Sequence, residues 1–418
     1  MKSKIKDIEI LRDLAKQFFE AANHESQNAK RKLWSDLNSL KSRQVPVYIL
    51  DPQGILREVF SESDFKCEDE LFRVYEKWLR LWLYRLTFND DCIPEPWITV
   101  GAEYKEGAQD WRNWGFKPEE TRYISETLAF QMPDAPIKTP KDLEKLAAGI
   151  GVIDDIKSTE KINKLTDAIG DIIPVIPDFY PPKVGGLSYT LAYLLGPEQM
   201  MYQFYDNPEM VHKLSRIISD ASLKICADAE KSERFTNCNS TFIGNPQIQA
   251  PPYTHELPNP GKYQPVSMKQ HWIYDCAQEF EGAGPEIFNE FLIEYQKPIY
   301  EQFGLSAYGC CENLTKKIKY LKRIKNLRRV AVTPWADCED CAKQLKDKYV
   351  ISWRPHPAEM VTTGFDPELI TRIIKNAKEI FDRYNCFWEI NLKDFISVEN
   401  DRDRLSNWVK VARRALES

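Results

Sequence analysis

Cys310, Cys311 and Glu312 stand side by side in FGLSAYGCCENL (303–314), where a strand-like run gives way to a helical pattern. Reactive residue types recur at the same place in the next three repeats. Trp335, Asp337 and Cys338 follow RRVAVTP (328–334), Arg354 and His356 close YVISWRP (349–355), and Asn391, Lys393 and Asp394 close CFWEINLKD (386–394). In a parallel α/β architecture the loops at the C-terminal strand ends form the active face, so these groups are expected on one rim. Thiolates, an imidazole and a carboxylate are the ligand types zinc prefers, and a catalytic zinc needs three of them plus an open position. The expected metal set is Cys310 and Cys311 beside Glu312, with Cys338 or His356 as the distal ligand. Glu312, Asp337 and Lys393 are the candidate catalytic groups, with Tyr308, Trp335, Arg354 and Asn391 lining a substrate site.

Plainer roles compete with each of these. Free cysteine often behaves as a small buried hydrophobe. Cys341 falls inside a helix, and Cys67, Cys92, Cys226, Cys238, Cys276 and Cys386 have no partner in the sequence, so all seven read as packing; Cys386 lies at the start of its strand. His356, between two prolines, can serve as a cap. Strand alternation places Tyr308 with Cys310 and Glu312, and Leu305 and Ala307 with Cys311. If the apolar pair packs on the helices, the interior receives Tyr308, Cys310 and Glu312, and the two thiols face opposite ways. A vicinal disulfide would be strained, and a reducing compartment disfavours it.

The elements that must position these groups are regular in the last third of the chain. Strand-like runs at 305–310, 328–334, 349–355 and 386–394 each precede a helical pattern, as in NLTKKIKYLKRI, DCEDCAKQLKDK and DPELITRIIKNAKEIFDRY, and the final helix runs to about residue 416. Four strand–helix units in series favour parallel strands with right-handed crossovers. With VPVYIL (45–50) and ITVGAEY upstream, a (β/α)8 barrel fits the length better than a doubly wound sheet. Two helices over 4–40 form an N-terminal extension, giving 1–43 as extension and 44–418 as barrel. Further helices are expected at 68–88, 197–205, 207–231 and 284–302. The middle third is rich in proline and aromatics, as in DIIPVIPDFYPPKVGG and NPQIQAPPYTHELPNPGKYQP, which marks binding loops or a lid.

The 418 residues suffice for a large core, and a net charge of −6 with interspersed signs offers no basic stripe for nucleic acid. The charged, periodic start MKSKIKDIEILRDLAKQ lacks the apolar core of a signal peptide, so a cytoplasmic protein with free thiols is expected. No apolar run is long enough for a membrane span. No glycine-rich phosphate loop follows any strand.

MKQHWIYDCAQEFEGAGPEIFNEFLIEYQKPIYEQFGLSAYGCCENL, LRRVAVTPWADCEDCAKQLKDKYVISWRPHPA and FWEINLKDF together resemble the uroporphyrinogen decarboxylase superfamily of TIM barrels, on the branch that neighbours cobalamin-dependent methyltransferases. The likeness covers about 265–415. It implies methyl transfer between a small substrate and a corrinoid carried by a partner protein, and it places Trp272, Asp275, Gln278 and Glu279 over the substrate cavity, with Asp275 as a further catalytic candidate. In the methyltransferases a His-x-Cys motif ends the strand equivalent to 305–311, and a cysteine ends the last strand; together they hold zinc. Here that motif reads Tyr308-Gly309-Cys310 or Gly309-Cys310-Cys311, and the last strand ends in Asn391-Leu392-Lys393, so the histidine and the distal thiol are both missing. True decarboxylases ring an anionic porphyrinogen with arginines after the first strand. This chain has Asp51 to Arg57 there without such a cluster, which makes decarboxylation, or metal-free binding of a tetrapyrrole or corrinoid, the alternative.

Overall fold

A computed structural model describes residues 2–50, 52–105, 114, 123–124, 129–130, 135–146, 152–179, 186–237, 248–261, 265–362 and 364–417. Ten strands lie among them: β1 Val47–Ile49, β2 Ile98–Gly101, β3 Tyr123–Ile124, β4 Ala129–Phe130, β5 Val175–Asp178, β6 Trp272–Asp275, β7 Leu305–Tyr308, β8 Leu327–Val332, β9 Val350–Trp353 and β10 Phe387–Leu392. Six form one sheet in the order β1-β10-β9-β8-β7-β6, and every adjacent pair is parallel. β2 and β5 form a separate parallel pair, and β3 and β4 a short antiparallel one. Because β6 to β10 run the same way, Asp275 at the end of β6 and Cys310, Asp337, His356 and Lys393 after β7 to β10 all lie at the C-terminal strand ends, along one end of the main sheet.

The core strands are buried along almost their whole length because both faces of the sheet are covered. On β10, Trp388 points into the helix layer, where its ring lies 5.9 Å from Trp353 and 4.8 Å from Phe381 of the helix Pro367–Arg383. Glu389 and Asn391 take the opposite face. There the Glu389 carboxylate is paired with the guanidinium of Arg329 on β8 and accepts from Ser352 Oγ on β9 at 2.8 Å. One face of the sheet is therefore polar and internally paired; the other is the aromatic core.

The helix expected over 68–88 spans Glu70–Leu86, where Asp69 caps it by accepting from the backbone of Leu71 and Phe72. Helices also occupy Pro197–Asp206, Pro208–Lys231 and Arg404–Glu417. The region 284–302 is helical in three pieces, with a π turn at Asn289–Ile293. After β7 the structure differs from the expected helix: only Ile318–Leu321 is α-helical. Asn313 Oδ1 accepts from the Thr315 backbone, and Lys317 is buried to donate to Phe280 O, so side chains replace the first helical turn with a loop.

The two N-terminal helices, Lys2–Asn23 and Ser26–Asn38, are integral to the packing. Trp34 donates from Nε1 to Asp91 O, and its ring meets Tyr48 of β1 edge-on at 5.7 Å. Asn38 closes the second helix and accepts from Arg329 at 2.6 Å, while its amide holds Pro251 O and Tyr253 O. Among the described residues no helix is long and apolar enough to cross a membrane.

Candidate thiol site

β7 ends at Tyr308, and the next residue decides the site. Gly309 has φ +104°, and a Cβ there would fall 2.6 Å from Leu314 Cδ1 and 2.9 Å from Ala331 Cβ. Only glycine takes this turn without strain. The turn breaks strand alternation, so Cys310 and Cys311 lie on the same side with their sulfurs 3.5 Å apart. This corrects the expectation that they face opposite ways. Glu312 fixes the loop: its buried carboxylate accepts from the backbone of Cys310 at 2.8 Å and of Ala277 at 2.7 Å, tying the β7 end to the β6 end. Burial raises the Glu312 pKa against these two hydrogen bonds.

Lys393, just past β10, sets its ammonium 2.9 Å from Cys310 Sγ and 3.4 Å from Cys311 Sγ. Asp394, at φ +61°, binds the same ammonium at 3.1 Å and lies 3.2 Å from Cys311 Sγ, where it competes with Cys310 for the single thiol proton. Arg354 is buried and donates to Cys310 O and, at 2.8 Å, to Gln249 Oε1; Gln249 Nε2 approaches Cys310 Sγ at 3.6 Å. Hydrogen bonds from the Cys276 and Cys311 thiols, with Arg354 and Lys393 behind them, hold the Cys310 thiol far below its ordinary range despite burial. Its two donors move the other way: the bond to Cys310, then burial, pushes Cys276 and Cys311 up. Burial and Arg354 pull Lys393 down, but Cys310, Asp394 and Cys311 outweigh them and its pKa is raised. The consistent charge state is one thiolate, Cys310, with two thiol donors and two cations around it.

The structure thus brings together Cys310, Cys311, Lys393 and Arg354, with Glu312 as a backbone clamp. Asn391 sits deeper on the same polar face, its amide donating to Gln249 O at 2.9 Å, and its buried Oδ1 has no partner among the described residues. Gln278 is exposed above Cys276, with Nε2 3.7 Å from that sulfur. Ser188 holds Glu279 by a 2.7 Å bond and also donates to Cys276 O.

Other expected residues lie elsewhere. Tyr308 and Asp275 are neighbours across β6 and β7 and face the helix layer: Gln296 donates to Asp275 Oδ2 at 2.6 Å and accepts from Tyr308 OH at 3.0 Å. The Tyr308 ring packs near Phe288 and Tyr300. The expected sidedness of β7 is inverted because Ala307 is register partner to Arg329; only a small side chain suits that polar face, and the large ring fills the apolar layer. Trp272 is buried, with Nε1 donating to Pro252 O. Asp337 is an exposed helix cap, accepting from the Asp340 backbone at 2.9 Å.

Cys338 has its thiol pushed up to about 12 by burial, with Cys341 and Cys386 as its leading charge neighbours. His356 meets the 62% exposed ring of Trp335 edge-on at 5.4 Å, and its Nδ1 is buried without a partner among the described residues. Neither contacts the thiol pair. Among the described residues no group of three or more His, Cys, Asp or Glu side chains is placed to hold a metal ion. Lys393 supplies at Cys310 the positive charge a zinc ion would bring, so this donor set does not fit zinc.

Cys276, Gln249 and Tyr274 belong to the site beyond the residues singled out from sequence, and Asp394, named there only as a strand-end group, joins them. Tyr274 shares the polar face and reaches toward Gly309 O at 3.4 Å. Cys276 ends WIYDC as Cys310 ends its own strand, so the same strand-end rule finds it. Gln249 lies in a proline-rich loop with no periodic signal. Cys238 lies outside the described residues, as do parts of the proline-rich segments.

No protein-family model matches the chain, and no curated protein matches its sequence. Among solved structures it is similar to a methyltransferase from Methanosarcina mazei, at 11% sequence identity over 92% of this chain and 98% of that chain, with a TM-score of 0.47. At that level of likeness neither fold nor activity transfers to this chain.

Proposed function

We propose that this protein is a thiolate-dependent methyltransferase-like enzyme, in which Cys310 exchanges a methyl group with a small substrate, on a (β/α)8 barrel closed by β2 and β5 between β1 and β6. The observation that carries the reading is the Cys310 sulfur held 2.9 Å from Lys393 Nζ in a buried strand-end site. A thiolate is the nucleophilic form of cysteine, and a neighbouring cation keeps it ionised near neutral pH. In the forward step the Cys310 sulfur attacks the methyl carbon of CH3–X. The S–C bond forms, the C–X bond breaks, and X leaves with the electron pair. Lys393 and Arg354, no longer balanced by the thiolate, then favour the anionic leaving group. The same charges make the sulfur a better leaving group when a second nucleophile removes the methyl. Cys276 and Cys311 donate to the sulfur in its charged form and orient it. Following the family resemblance, the second methyl carrier is proposed to be a corrinoid presented by a partner protein, written here as substrate.

The test is anaerobic incubation of the protein with methylcobalamin, followed by the visible spectrum of cob(I)alamin and by peptide mass spectrometry. One methyl group on Cys310, and none in Cys310→Ser, supports the reading. Methylation spread over several cysteines, or absent while methylcobalamin binds tightly, would leave a binding barrel instead. Elemental analysis of the same sample is expected to show no stoichiometric zinc.

A further inference from the structure

We infer that Cys310 and Cys311 form an oxidisable pair: a hydroperoxide converts them to a vicinal disulfide that shuts the site, and a thiol reductant reopens it. This goes beyond the methyl-transfer reading. The sulfurs are already 3.5 Å apart, the described cysteines are all free thiols, and both sulfurs contact one ammonium. Cys311 is only half-buried and borders the opening through which a small hydroperoxide reaches Cys310, which keeps 8% of its surface exposed beside it. The Gly309 turn that places both thiols on one side is what makes their contact possible.

The steps balance. The Cys310 sulfur attacks the terminal oxygen of ROOH; an S–O bond forms, the O–O bond breaks, and RO⁻ leaves and takes a proton from water. The Cys311 sulfur then attacks Cys310; the S–S bond forms, the S–O bond breaks, and hydroxide leaves with the Cys311 proton as water. Two thiols are oxidised by two electrons, and the hydroperoxide is reduced to alcohol and water. A bridge between adjacent residues is strained, and strained disulfides are the readily reduced, regulatory ones. Oxidation removes the sulfur charge that Lys393 and Arg354 balance, so the nucleophile is lost without loss of the fold.

Cleavage after glutamate separates the candidates, because 302–312 carries Cys310 and Cys311 while Cys276 lies in a peptide ending at Glu279. After treatment of the full chain with limiting hydrogen peroxide, 302–312 is expected two hydrogens lighter and closed to iodoacetamide, and dithiothreitol should restore both. In Cys311→Ser, a dimedone-reactive sulfenic acid should persist on Cys310, while Cys276→Ser, which loses a donor to the Cys310 sulfur, should still close the bridge within 302–312, more slowly than wild type. A cross-link between 302–312 and the Cys276 peptide would overturn the pairing. Oxidation of Cys310 no faster than that of buried Cys226 would overturn the switch. The wild-type peptide map needs no variant to fold, and it reads oxidation directly, so its outcome is separate from that of methyl transfer.

Discussion

Cys310 owes its charge state to four neighbours from four strand ends, Cys276, Cys311, Arg354 and Lys393, and Lys393 is the one that can be removed with least disturbance of the backbone. Its ammonium stabilises the thiolate, so the Cys310 pKa lies below that of an unfolded cysteine, about 8.5. The sign follows: the unfolded chain binds the proton first as pH falls, so this stabilisation is full above about pH 8.5 and is lost as pH drops toward the folded pKa. Iodoacetamide labelling of Cys310 should accordingly be nearly flat with pH through neutrality. Lys393→Met is expected to move the inflection up toward the ordinary thiol value and to slow labelling at neutral pH. An unchanged pH profile in that variant would show that Lys393 does not set the charge.

At the scale of elements, the β7 end is a strand stop built from Gly309, Glu312 and the neighbouring β6 end. A side chain at Gly309 meets both a left-handed backbone conformation and the Ala331 Cβ at 2.9 Å, which cannot swing aside. Gly309→Ala should therefore cost about 1–3 kcal/mol in urea unfolding and should separate the thiols, reducing Cys310 labelling. Equal stability of wild type and variant would mean that the turn is not strained. The strands and most helices were readable because apolar runs and caps such as Asp69 are local signals. The sidedness of β7 was not: all four of its residues are buried, so alternation carried no polarity to orient it.

For the molecule as a whole, the polar face of the main sheet rests on a buried ion pair, Arg329 with Glu389, joined to the N-terminal helices through Asn38. Removing one partner strands a charge in the interior. Arg329→Met should cost on the order of 3–5 kcal/mol, and Arg329→Met with Glu389→Gln distinctly less, measured by denaturant titration. A double variant as unstable as the single one would argue against stranded charge as the cause. The extension at 2–38 thus acts as part of the same packing: it supplies Trp34 and Asn38 to the interior, although its sequence shows only two amphipathic helices.

The sequence by itself determined the serial strand–helix units, their common direction and the placement of reactive groups after strand ends, since periodicity and caps are local. It also singled out Cys310, Cys311, Glu312, Arg354 and Lys393. Tertiary structure decided which of these meet. Gly309 turns both thiols to one side, Lys393 reaches across from the other end of the strand series, and Gln249 arrives from a loop without periodicity. Cys338 and His356, equally eligible by position after a strand, are carried away by the helix and short turn that follow them. Residue type and spacing along one strand cannot encode a distance between strands; only the packed sheet fixes whether a thiol meets an ammonium or a metal ligand.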